Sequence, residues 1–95
     1  MTTDEARKTV ISAYARACDD IAMYKDIAVS NIRQAVESIG EIEDNDDADA
    51  VLAIVFWLKD ALCDIRRDIA PIIERRNVLE KTRDLLNKCM EDKRQ

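Results

Sequence analysis

The sequence has no histidine, a single glycine, a single proline and only four aromatic residues, Tyr14, Tyr24, Phe56 and Trp57, in 95 positions. Without histidine the chain cannot build a Ser-His or Cys-His nucleophile pair, or the usual helix-borne zinc and di-iron motifs. A lone Gly40 excludes a glycine-rich phosphate loop. Few turn formers and few aromatics also argue against a sheet, which needs both at regular intervals. The remaining class is all-α, in a chain long enough for one domain.

Two further shortages bear on location. The longest apolar run, Ala50 to Leu58, is nine residues, about half of the roughly 20 a membrane helix needs. Met1 to Glu5 shows no charged-then-apolar leader. A cytoplasmic protein without a membrane contact is therefore expected. The three cysteines, Cys18, Cys63 and Cys89, are odd in number and widely spaced, which suits free thiols in a reducing compartment.

What is present begins with charge. The formal net charge is −5, and it is unevenly spread: residues 1–40 carry six acids and five bases, 41–50 six acids and no base, and 51–95 eight acids and ten bases. The acidity is thus one connection. Such a run is ordinarily a solvated linker, with contact to a basic protein surface as its functional reading.

Along the chain, Thr2 stands as an N-cap with Glu5 three residues on, and Asp4 and Glu5 suit the positive end of a helix. No Gly or Pro follows until Gly40, so helix 1 is expected over about 3–39, with Gly40 as the left-handed residue just past its end. Stepping by about 100° places Val10, Ile11, Tyr14, Cys18, Ile21, Ala28, Ile32, Ala35, Val36 and Ile39 on one face. Lys25 projects near the middle of that stripe. Its stem is expected to pack while its ammonium escapes to the edge; a catalytic lysine would need accompanying groups that are absent. Met23 and Ile27 form a small patch on the opposite face.

The acidic connection, 40–46, invites a calcium reading that fails on inspection. A loop starting at Asp44 puts Asp46 third, but Ala48 fifth, Asp49 where the turn glycine belongs and Val55 where the bidentate Glu should stand. Asn45 or Asp46 is instead expected to cap helix 2, with Asp47 and Asp49 on its positive end.

Helix 2, about 47–69, contains the run Ala50-Val51-Leu52-Ala53-Ile54-Val55-Phe56-Trp57-Leu58. A helix serving one core needs only a stripe, so an unbroken run implies burial on more than one side. Val51, Ile54, Val55, Leu58, Leu62, Ile65 and Ile69 form the main stripe. Leu52, Phe56 and Cys63 form a second cluster, and Trp57 sits at the opposite margin. The cover for the second cluster is the chain's own last helix, a second copy, or a different protein. Pro71 then removes one amide donor and crowds the preceding turn, so a kink or restart is expected there. Helix 3, about 71–92, carries Ile72, Val78, Leu79, Thr82, Leu85, Leu86, Cys89 and Met90 on a stripe roughly 100° from that of helix 2.

The basic residues of the last helix alternate with acids, which is the pattern of a solvated face, so nucleic-acid binding is not expected. Asp60, Asp64 and Asp68 recur at four-residue spacing, yet Arg67 lies among them, and they read as an exposed paired edge better than as a magnesium site. No catalytic residue, metal or cofactor is expected.

The sequence therefore describes a single helical domain: a small antiparallel bundle of two long helices, the second kinked or broken at Pro71 to give three segments. The expected function is non-catalytic protein–protein interaction, as a small acidic adaptor or inhibitor of the kind encoded by phages and mobile elements, an assignment made by analogy. The alternatives are a self-associating homodimeric bundle and, third, a nucleic-acid mimic or binder. The candidate contact residues are Leu52, Phe56, Trp57 and Cys63, with Asp44, Asp46 and Asp47 of the acidic connection.

Overall fold

The computed structural model describes residues 1–43 and 47–94, with side chains through Asp92. It consists of two helices, α1 (Thr3–Gly40) and α2 (Ala48–Arg94), with no strand among the described residues. The all-helical class and the hairpin order of its elements are as the composition requires.

Each helix begins on a side-chain cap. The Glu5 amide donates to Thr2 Oγ1 at 3.2 Å, and the Ala6 amide to the Thr2 carbonyl at 3.0 Å. At α2 the Ala50 amide donates to Asp47 Oδ1 at 3.2 Å, and Val51 N lies 3.4 Å from the Asp47 carbonyl. Asp47 is therefore the cap, one or two residues later than the expected Asn45 or Asp46, both of which lie outside the described residues. A carboxylate placed there accepts from amides that have no partner within the helix.

The end of α1 differs from expectation. Gly40 is the last residue of α1 and has no positive φ. The helix closes instead by the Glu41 amide donating to the Glu37 carbonyl at 3.1 Å and the Ile42 amide to the Ile39 carbonyl at 3.2 Å. The tightened last bond is a short 3₁₀-type turn, which needs no left-handed residue.

Pro71 lies inside α2, which is assigned helical without interruption from Ala48 to Arg94. The second long helix is therefore not broken at Pro71. The carbonyl that Pro71 leaves without a donor belongs to Arg67, and both residues are exposed, so water can satisfy it.

The chain divides into two compact units, one of Met1–Ala22 with Ala70–Gln95, the other of Met23–Ile69. In the first, Val10, Tyr14, Ala17 and Ile21 of α1 and Ile72, Arg76, Leu79, Arg83, Leu86 and Met90 of α2 are the half-buried or buried positions at alternating three- and four-residue steps. That is the 3.5-residue period of a coiled-coil seam. Two polar contacts lie on it: the Arg83 guanidinium carbon sits 4.7 Å from the Tyr14 ring centroid, and Arg7 Nε donates to Asn87 Oδ1. Val78 and Leu85, expected on the inward stripe, are 62% and 65% exposed.

In the second unit the seam on α1 runs through Tyr24, Ala28, Asn31, Ala35 and Ser38, and on α2 through Val51, Ile54, Leu58, Ala61 and Ile65. Small α1 side chains let the helices approach, but they also bury little. In the whole described chain only Ala17 and Ala35 are buried, and no large side chain is fully covered.

Between Ala61 and Ile72 the α2 seam takes two four-residue steps in succession, Ala61 to Ile65 to Ile69, before resuming with Ile72. Such an insertion into the 3–4 alternation locally unwinds a coiled coil and shifts the apolar stripe around the helix. This accounts for the phase change between the two halves of α2 without a chain break. The apparent 100° offset was enlarged by Val78, Leu85 and Cys89, none of which lies on the seam.

Candidate functional site

The unit formed by Met23–Ile69 carries most of the exposed large apolar side chains. On α1 these are Met23, Ile27, Val29 at 38%, Ile32 at 43%, Val36 at 64% and Ile39 at 38%; on α2 they are Leu52 at 51%, Val55 at 47%, Phe56 at 55% and Trp57. Helical spacing fixes which of them share a side. Gln34 immediately precedes the seam residue Ala35, and Trp57 immediately precedes the seam residue Leu58. Gln34 and Trp57 border one recess of about 230 Å³ together with Ala35, Ser38, Ala53 and Ile54, so they mark one margin of the seam.

Ile32 and Ile39 follow seam residues on α1, and Val55 and Leu62 follow seam residues on α2. They therefore stand on the opposite margin, together on one side of the unit. Val29 and Val36 extend that side outward on α1, as Leu52 does on α2. The α2 half is a shallow trough of about 400 Å³ lined by Val55, Leu58, Lys59, Leu62, Cys63 and Arg66. Lys59 and Arg66 border the apolar lining of this trough.

The sequence-based candidates fall in three places. Leu52 and Phe56 are adjacent along one helical row and exposed, so the chain's own last helix does not cover them, and Cys63 borders the neighbouring trough. Nothing among the described residues covers them. Trp57 is 43% exposed and stands on the other margin, in the recess with Gln34, away from Leu52. Asp47 is engaged as the α2 cap, while Asp44 and Asp46 lie outside the described residues.

The α1 contribution was missed from sequence. The 100° stripe holds Ile32, Val36 and Ile39 beside Ala35, whereas the structure covers Asn31, Ala35 and Ser38 and exposes the three larger residues. The signal that could have found them is the strict 3–4 alternation from Val10 to Ser38, which a single 100° stripe blurs. Lys25 lies beside this face and is exposed, consistent with a stem at the margin and a charge in solvent. Met23 and Ile27, on the far side, are also exposed at 49% and 41%.

Some charged groups elsewhere pair on the surface. Arg67 bonds Asp64 at 3.4 Å and Asp68 at 3.3 Å, so two of the three regularly spaced aspartates serve a solvated ion-pair edge. No group of His, Cys, Asp or Glu among the described residues is arranged to hold a metal ion. The three cysteines are free, Cys18 half-buried and Cys63 and Cys89 exposed. No helix among the described residues is long and apolar enough to cross a membrane.

No protein-family model matches the chain, and no curated protein or solved structure matches it either.

Proposed function

We propose that this is a non-catalytic protein–protein interaction protein, with a role of the adaptor or inhibitor kind, acting through the apolar side of the Met23–Ile69 unit. The observation that carries the reading is the placement of Ile32, Val36 and Ile39 of α1 on the same side as Leu52, Val55 and Leu62 of α2. Two helices can bury only one stripe each against the other, and here the stripe on α1 is spent on small and polar residues. The larger apolar groups are left for a partner, and covering them would supply the driving force that the seam lacks.

A photo-reactive residue placed at Ile32 or Val55, and separately at Ser30 or Glu37 on the polar outer surface of α1, tests this in cells expressing the full chain. Protein adducts are expected from the first pair of positions and not from the second. Adducts from neither pair, or from both alike, would remove the support for this face. Self-association is the second reading, and the distribution of charge around the same face favours it.

A further inference from the structure

We infer that the occupant of this face is a second copy of the chain, with the two copies antiparallel to one another. The inference rests on the reading of the face as a protein contact and adds the identity of the partner. Its basis is that the face is charged oppositely at its two ends. The connection end of the unit carries the exposed acids Glu41, Glu43 and Asp49; at the far end Lys25, which follows the seam residue Tyr24, and Lys59 and Arg66, which follow Leu58 and Ile65, stand on the apolar side, while Asp26, Asp60, Asp64, Arg67 and Asp68 at that end do not follow seam residues. Arg66 and Lys59 border the apolar trough. None of these three cations has an ion pair among the described residues, in contrast to Arg67 and Arg83, which do.

A two-fold contact uses the same patch on both copies. For a face whose rows run along two helices, the axis either lies along the helices or crosses them. An axis along the helices sets acidic end on acidic end and basic end on basic end. An axis across them sets the end that carries Glu41, Glu43 and Asp49 against the partner's Lys25, Lys59 and Arg66, which is the favourable arrangement. The same axis lays α1 against α1 of the other copy, running in opposite directions.

The outermost cations, Lys25 on α1 and Arg66 on α2, agree on where that axis falls, with Lys59 nearer the middle of the unit. The midpoint between Lys25 and Glu41 is Arg33 on α1, and that between Asp49 and Arg66 is next to Trp57 on α2. Gln34 and Trp57 border one recess, so both midpoints lie at one level of the hairpin. A single crosswise axis therefore satisfies both helices, and the apolar groups between the charged ends meet their own copies. The product is a four-helix bundle in which Ile32, Val36, Val55 and Leu62 become core.

Sedimentation velocity on the full chain with two sets of charge reversals tests this. Lys25→Glu with Lys59→Glu forms one variant, and Glu41→Lys with Glu43→Lys the other. The wild type is expected to dimerise and each variant alone to associate about tenfold or more weakly, since like charges then meet. An equimolar mixture of the two variants is expected to recover dimer, because each supplies what the other lost. Unchanged helical circular dichroism shows that the variants fold.

A dimer that survives both reversals, or a mixture that recovers nothing, would overturn the crosswise arrangement. A wild type that stays monomeric while Ile32 and Val55 cross-link to a different protein would overturn the second copy and leave the interaction reading standing. A monomer without face-specific adducts would overturn both.

Discussion

Ala35 and Val36 are neighbours in the chain and stand at opposite extremes of exposure, 2% and 64%. The smaller residue holds the seam and the larger one faces outward. Replacing Ala35 with Leu would force the helices of its unit apart or drive the new side chain off rotamer. A loss of about 1–3 kcal/mol is expected from such overpacking. Urea unfolding measures it, and an unchanged midpoint would show that Ala35 does not mark the closest approach.

Arg83 and Tyr14 make a second relationship open to measurement. A guanidinium over a ring at a partly covered site is worth about 0.5–1 kcal/mol. A double-mutant cycle with Tyr14→Leu and Arg83→Met should return a coupling of that size. Zero coupling would mean that the two side chains merely lie near each other.

Pro71 inside α2 costs a hydrogen bond and crowds the preceding turn. Pro71→Ala should therefore raise stability by about 1–3 kcal/mol when compared at equal protein concentration. A loss of stability would instead show that the proline sets a backbone geometry the fold needs.

Asp47 separates a capping role from a contact role. Asp47→Asn keeps an oxygen that can accept from the Ala50 amide and should leave the thermal midpoint nearly unchanged, whereas Asp47→Ala should cost about 0.5–2 kcal/mol. Equal effects of the two substitutions would point to the charge rather than to the cap.

The helical class, the two long elements and the N-cap at Thr2 were legible in the sequence because each rests on local chemistry: absent turn residues, helical spacing and a hydroxyl three residues before an amide. The seam of the Met23–Ile69 unit was not legible. Stepping by 100° finds Ala28 and Ala35 but groups them with Ile32, Val36 and Ile39 and passes over the polar Asn31 and Ser38, along which the seam runs. Proline removes a donor and crowds the preceding turn, so a kink or a break is expected at Pro71, and the structure shows no break. Pro71 falls on an exposed turn, where water can take up the orphaned Arg67 carbonyl. That Leu52 and Phe56 lie off the main stripe was legible from helical spacing, and both are exposed.

The most direct measurement is the concentration dependence of unfolding, followed by Trp57 fluorescence, for the wild type and for Val36→Asp. If the apolar side of the Met23–Ile69 unit is closed by a second copy, each tenfold rise in concentration adds about 1.4 kcal/mol to the stability of the wild-type dimer, and its denaturant midpoint climbs accordingly. The midpoint of Val36→Asp should stay level over the same range. A wild-type midpoint independent of concentration would contradict the closure of this face by a second copy.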